Sequence, residues 1–212
     1  MKDIRLIIFD LDGTLVDAYR AICSSVNFVL KRLNYPRQPD AVIRRKVGWG
    51  DENLLKPFVS PKELPKALRL YRKHHGKSLL RYARLLPAAG FVLERLQDKG
   101  YKLAVASNRP TKFSRIIIRH LAIGEYFDYV LCADKLKHRK PHPEILRKIM
   151  KKFFLKPACT LYVGDMAIDA QAGKRAGVKT IIVTTGSSSK QEIRRRKPYK
   201  IIAKISQLFD IL

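Results

Sequence analysis

The chain has 212 residues, 46% of them hydrophobic and 29% charged. That is enough for one sizeable core with a small second module, and too apolar for a disordered chain. Lys and Arg number 44 against 18 Asp and Glu, a formal charge of +26, and no apolar run is long enough to span a bilayer.

The N-terminus has no basic, apolar, small-residue signal pattern, so a soluble cytoplasmic protein is expected. Cys23, Cys132 and Cys159 are scattered and odd in number, which predicts buried free thiols and no zinc site. The charge has two readings. One is attraction to nucleic acid or steering of phosphorylated substrates; the other is a generally basic solvated surface. The second is favoured, because the basic clusters 44–46, 135–140 and 194–200 are spread along the chain with no nucleic-acid motif.

In chain order, the largely apolar run Ile4 to Phe9 reads as a buried strand. It ends in Asp10-Leu11-Asp12-Gly13-Thr14. Residues two apart in an extended segment point the same way, so Asp10 and Asp12 face one site. Two carboxylates that close ask for a cation or a shared proton. The pair suits a carboxylate nucleophile beside a carboxyl acid/base, over a magnesium ion.

Residues 17–83 then carry helical spacing only. Asp17 to Arg32 is an amphipathic helix closed by Asn34-Tyr35-Pro36. Asp40 caps a short helix to Lys46, Val47-Gly48-Trp49-Gly50 is a loop, and Asp51 caps another helix through Leu55. Ser60-Pro61-Lys62-Glu63 has the form of a capping box. It opens a helix to about Arg84, complicated by Pro65 and disturbed at Gly76. This segment reads as an inserted helical cap on a core made of 1–16 and 84–212.

From Pro87 helices and strands alternate. The helices are Ala88 to Asp98, Thr111 to Leu121, Pro143 to Phe153, Ile168 to Ala176 and one from Ser206. The strands are Tyr101 to Ala106, Tyr129 to Cys132, Thr160 to Val163, Lys179 to Val183 and Lys200 to Ile202. Such alternation implies an α/β fold, a Rossmann-like, doubly wound parallel sheet with ligands at the carboxyl ends of its strands. Asp10 and Asp12, Ser107 and Asn108, and Asp165 all fall at such ends. Lys140 lies in a loop stiffened by Pro141 and Pro143. Alone, Ser107 reads as a helix-start residue, Lys140 as a solvated lysine, Asp165 as a helix cap and Asp169 as a surface carboxylate. Their convergence on one sheet edge favours a site.

These four segments resemble, in order and spacing, the four motifs of the haloacid dehalogenase superfamily in its phosphatase branch. The fourth, Val163 to Gly177, is an especially close match. Lys140-Pro141-His142-Pro143 and Val47-Gly48-Trp49-Gly50 look most like the phosphoglycolate phosphatase group. The resemblance covers essentially the whole chain. It implies that Asp10 attacks phosphorus, that Asp12 is the acid and base, that Ser107 with the backbone near Asn108 holds phosphate oxygens, and that Lys140 offsets charge. Magnesium is then held by the Asp10 carboxylate, the Asp12 carbonyl and Asp165, with Asp169 on the metal side or orienting Lys140. Thr14, Asn108 and Arg45 are the expected substrate contacts, Arg45 as one of three basic cap residues suited to a carboxylate or second phosphate.

The expected partner is a small phosphorylated metabolite, and the expected assembly a monomer or homodimer. Asp12 argues against dehalogenation. Ile22 and Gly50 stand where related mutases carry histidine and arginine. An inorganic pyrophosphatase stays open, because the motifs fix the phosphoryl site and not the leaving group. From another class, a basic nucleic-acid or polyphosphate binding protein on this fold stays open too. His138 and His142 are assigned nothing, and Trp49 reads equally as substrate-facing or as packing.

Overall fold

β1 (Leu6–Phe9) is buried at every position. A strand covered on both faces alternates its side chains between two apolar layers. Ile7 and Phe9 enter one core, Leu6 and Ile8 the other. The computed structural model describes residues 3–212.

After β1 come β2 (Val16–Asp17), α1 (Tyr19–Arg32), α2 (Asp40–Arg44), α3 (Asp51–Leu55), α4 (Leu64–Tyr82) and β3 (Arg84–Leu85). Val16 pairs antiparallel with Leu85, and Asp17 with Arg84. The helical stretch therefore leaves and rejoins the chain through the two arms of one small ladder. That ladder has no sequence signature, because two residues cannot show a period. The remainder is α5 (Ala89–Asp98), β4 (Lys102–Ser107), α6 (Thr111–His120), β5 (Tyr129–Cys132), α7 (Glu144–Lys152), β6 (Thr160–Gly164), α8 (Ala167–Ala176), β7 (Lys179–Val183), α9 (Lys190–Arg195) and β8 (Lys200–Ile202).

The main sheet is six-stranded and parallel, in the order β5-β4-β1-β6-β7-β8. Helices α7 and α8 cover one face with Ile145, Leu146, Ile149 and Ala172. Helices α5 and α6 cover the other with Val92, Leu93, Leu96 and Ile117. The sheet is the doubly wound one the alternation predicts. The strand order reverses at β1, which lies between β4 and β6. Phe9 stands level with Val105 and Val163, so Asp10 emerges between the ends of the two neighbours.

Several boundaries differ from expectation. α4 begins at Leu64, four residues past Ser60, and no side chain caps it. The Ser60 amide donates instead to the Tyr35 hydroxyl at 3.0 Å. Pro65 then falls in the first turn, where its missing N–H costs nothing. Gly76 does not disturb α4, which runs unbroken to Tyr82. The last helix is a 3₁₀ segment over Ile205–Asp210. α9 carries a capping box, Ser189 with Glu192, just ahead of the basic cluster 194–200, in a stretch to which the sequence reading assigns no element. The three cysteines are free, but Cys159 is only half-buried. Among the described residues, no helix is long and apolar enough to cross a membrane.

Candidate active site

The carboxyl end of β1 places Asp10 against Lys140, whose Nζ lies 2.9 Å from Asp10 Oδ1. Lys140 is 1% exposed. Its ammonium also donates to Asp169 Oδ1 at 2.8 Å, Ala106 O at 2.9 Å and the Tyr162 hydroxyl at 3.0 Å. A buried ammonium is tolerable only when its protons are all taken. Burial disfavours the charge, but Asp10 and Asp169 outweigh it and hold the Lys140 pKa above its ordinary value. Asp10 is pushed up to about 7 by burial, against the pull of Lys140.

Asp169 is the third residue of α8, and its Oδ2 accepts from the Met166 amide at 3.0 Å and more weakly from Asp165 N. Its Oδ1 accepts from Lys140 and from the Tyr162 hydroxyl, the latter at 2.6 Å. Both Asp169 oxygens thus have donors in the protein, and its charged partner is Lys140. Of its two expected roles, orienting Lys140 is the one these contacts match. Tyr162, on β6, completes this network; its place inside an apolar strand gave no sequence signal.

Asp165 sits at the end of β6 with no exposure. Its Oδ1 accepts from the Thr14 hydroxyl at 3.0 Å, while Oδ2 is buried with no hydrogen-bond partner among the described residues. Burial first, then the charges of Asp169 and Asp10, hold its carboxyl well above the usual range. Asp10, Asp165 and Asp169 each offer an oxygen within 4.8 Å of the others. Gly13 and Gly186 keep this space open, since a Cβ at either would collide with Asp165 Oδ2. Gly13, at φ +83°, also needs the left-handed conformation. An oxygen-only set of repelling carboxylates with an orphaned oxygen fits a hard divalent cation.

Ser107 and Asn108 end β4. The Ser107 oxygen accepts from Arg109 N at 3.1 Å, which leaves its proton free to donate. Asn108 binds the Lys140 backbone on both sides, accepting from N at 2.9 Å and donating to O at 3.0 Å. It also donates to Gly48 O at 2.8 Å. The Asn108 side chain therefore positions Lys140 and the 47–50 loop, and Asn108 also lines the cavity between them.

Asp12 has a partner that sequence reasoning missed. Arg109 grips it through Nε to Oδ2 and Nη2 to Oδ1, both at 2.7 Å. Its third nitrogen, Nη1, meets His75 Nε2 from α4 at 2.6 Å. Arg109 follows Ser107-Asn108 directly, so its position at a strand end was the available signal; His75 had none beyond helical spacing.

A cavity of about 50 Å³ lies above these groups, lined by Asp10, Asp12, Ser107 and Arg109 from the sheet side and Gly48, Gly50 and Asp51 from the helical side. Two expected substrate contacts are not brought to it. Thr14 is fully buried and spends its hydroxyl on Asp165. Arg45 is exposed just past α2 and does not line the cavity. The Trp49 side chain is 40% exposed and does not line it either. Ile22 and Gly50 do, where mutases carry polar groups.

The order of strands and the four converging segments match a known family. A profile of the haloacid dehalogenase-like hydrolases covers residues 7–183. The chain belongs to that family. It is 34% identical to a phosphoglycolate phosphatase of Aquifex aeolicus over 86% of this chain and 85% of that one. Identity to a phosphoglycolate phosphatase of Haemophilus influenzae is 31% over 98% of both chains. The fold superposes with a TM-score of 0.94 on the crystal structure of a predicted phosphoglycolate phosphatase from Haemophilus somnus, at 31% identity over 100% of this chain and 99% of that one. This haloacid dehalogenase-like hydrolase is thus similar to phosphoglycolate phosphatases along its whole length.

Proposed function

We propose that the protein hydrolyses phosphoglycolate, or a close small phosphomonoester, with magnesium and through a phosphorylated Asp10. The observation that carries this reading is the convergence of four separate segments on Asp10 at the switch point: Asp10 and Ser107 line one cavity, Lys140 pairs with Asp10, and Asp165 offers an oxygen within 4.8 Å of it. The similarity to phosphoglycolate phosphatases supports the substrate.

Asp10 attacks phosphorus, the bond to the ester oxygen breaks, and Asp12 gives that oxygen a proton. Water then attacks the same phosphorus, Asp12 takes the water's proton, and Asp10 leaves as carboxylate. The free Ser107 proton binds a phosphoryl oxygen. Lys140 favours the charged Asp10 and offsets charge that gathers on the phosphoryl group. The Asp10 and Asp165 carboxylates and the Asp12 backbone carbonyl would hold magnesium, with Asp169 bracing Lys140 beside them. Magnesium, when bound, supplies the positive charge that lets these carboxylates stay ionised together and neutralises phosphoryl oxygens.

We assign residues 17–83 to a cap over a core of 1–16 and 84–212. A cavity of about 50 Å³ holds only a few waters, so substrate enters when the cap moves on the arms of β2 and β3.

The test is phosphate release with magnesium from phosphoglycolate, pyrophosphate, sugar phosphates and nucleoside monophosphates, with Asp10→Asn in parallel. Preference for phosphoglycolate that disappears in the variant is the expected result. Release from none of them, or equal release by the variant, would sink the reading.

A further inference from the structure

We propose that Arg109 selects substrates carrying a carboxylate next to the ester oxygen, and that Asp12 occupies its fork until such a substrate takes it. This rests on the reading above and adds the group that reads the rest of the substrate.

Arg109 is 8% exposed and lines the cavity. Its guanidinium keeps its charge, so it must be paired where it is buried. The partner is Asp12, held bidentate at 2.7 Å through both oxygens. This is the geometry an arginine fork offers any carboxylate. As held, both Asp12 oxygens face the guanidinium. To act as an acid, one must turn to the leaving group and carry a proton.

The substrate chemistry supplies the exchange. In phosphoglycolate only one carbon separates the ester oxygen from the carboxyl carbon. Asp12 must reach that ester oxygen, and Arg109 touches Asp12. The guanidinium is therefore within reach of the substrate carboxylate. One carboxylate replaces another in the fork, so no buried charge is left uncompensated, and Asp12 is released to its proton transfers. A monoester without a carboxylate leaves Asp12 gripped.

The helical segment holds the fork in place. Arginine has no acceptor, so Arg109 donates to His75 Nε2, and the imidazole proton sits on Nδ1. Nδ1 lies 3.1 Å from Ser25 Oγ, which donates to Ala21 O at 2.8 Å. His75 is a positioning residue in this chain from α4 to α1.

Steady-state kinetics with magnesium on phosphoglycolate and ethyl phosphate, which differ in the carboxylate, test the proposal. Wild type should favour phosphoglycolate in kcat/KM by about 10²-fold or more. Arg109→Met should bring the two substrates within about tenfold, through a much larger loss of kcat/KM on phosphoglycolate than on ethyl phosphate. Arg109→Lys keeps a cation without the fork, and guards against misfolding; its ratio should fall at least about tenfold. Inhibition by glycolate should weaken in both variants while inhibition by inorganic phosphate holds. An equal loss on both substrates, with the ratio and glycolate inhibition unchanged, would overturn the role of Arg109 and leave the phosphatase reading standing. Wild type inactive on phosphoglycolate would instead overturn the substrate reading, and this proposal with it.

Discussion

Lys140 carries a charge at 1% exposure between Asp10 and Asp169. Removing one partner from a buried ion cluster costs about 3–5 kcal/mol, because the remaining charges lose their compensation. Lys140→Met should therefore lower the unfolding free energy by that amount, read from denaturant unfolding curves, and slow phosphate release by about 10²-fold or more. An unfolding curve and a turnover assay equal to wild type would contradict the cluster. Thr14→Val removes the hydroxyl on Asp165 Oδ1. It should raise the magnesium concentration needed for half-maximal activity and leave KM for the phosphate ester unchanged. A rise in KM alone would return Thr14 to the substrate. The places of Asp10, Asp12 and Asp165 were legible because carboxylates are rare directly after apolar strands, and that of Lys140 from its proline-stiffened loop. Arg109 and Tyr162 were not, since their meaning depends on which distant side chain they meet.

Helix α1 was legible from its apolar stripe and α4 from a helix-start pattern at Ser60 to Glu63, while the true start of α4 was not. Two hydrogen-bonding patterns compete there, and Tyr35 takes the Ser60 amide. α9 was missed although Ser189 and Glu192 carry its capping box, because the sequence reading took only the basic run that follows. The buried face of α4 has a consequence for pH. Burial first, then the cation of Arg109, hold the His75 pKa well below its usual value. Unfolded His75 takes a proton near pH 6.5 and the folded residue only well below that. The unfolded chain therefore binds more protons in that window, and stability falls as pH drops below about 6.5 and is flat above. His75→Gln should lessen this loss between pH 7.5 and 5.5, read as the difference in melting temperature from wild type. An identical pH slope in the two proteins would contradict a buried neutral His75.

At the scale of the molecule, parallel alternation made the sheet legible and the switch point located the site. The two-residue strands that carry the helical segment, and the way it lies on the sheet, were beyond reading because long-range packing sets them. A formal net charge of +26 favours the approach of an anionic phosphate ester. Raising ionic strength from 0.01 to 0.15 M shortens the screening length from roughly 30 to 8 Å. kcat/KM for phosphoglycolate should fall over that range while kcat stays nearly constant, because steering acts on encounter. A flat kcat/KM would make the charge irrelevant to catalysis.

The central claim is that Asp10 becomes phosphorylated. Mixing the enzyme with magnesium and radiolabelled phosphoglycolate, quenching in acid and mapping the label tests it directly. A phosphoryl group on the peptide containing Asp10, sensitive to hydroxylamine and missing from Asp10→Asn, is the predicted result. Turnover of the substrate with no label on the chain, or with label retained in Asp10→Asn, would contradict it.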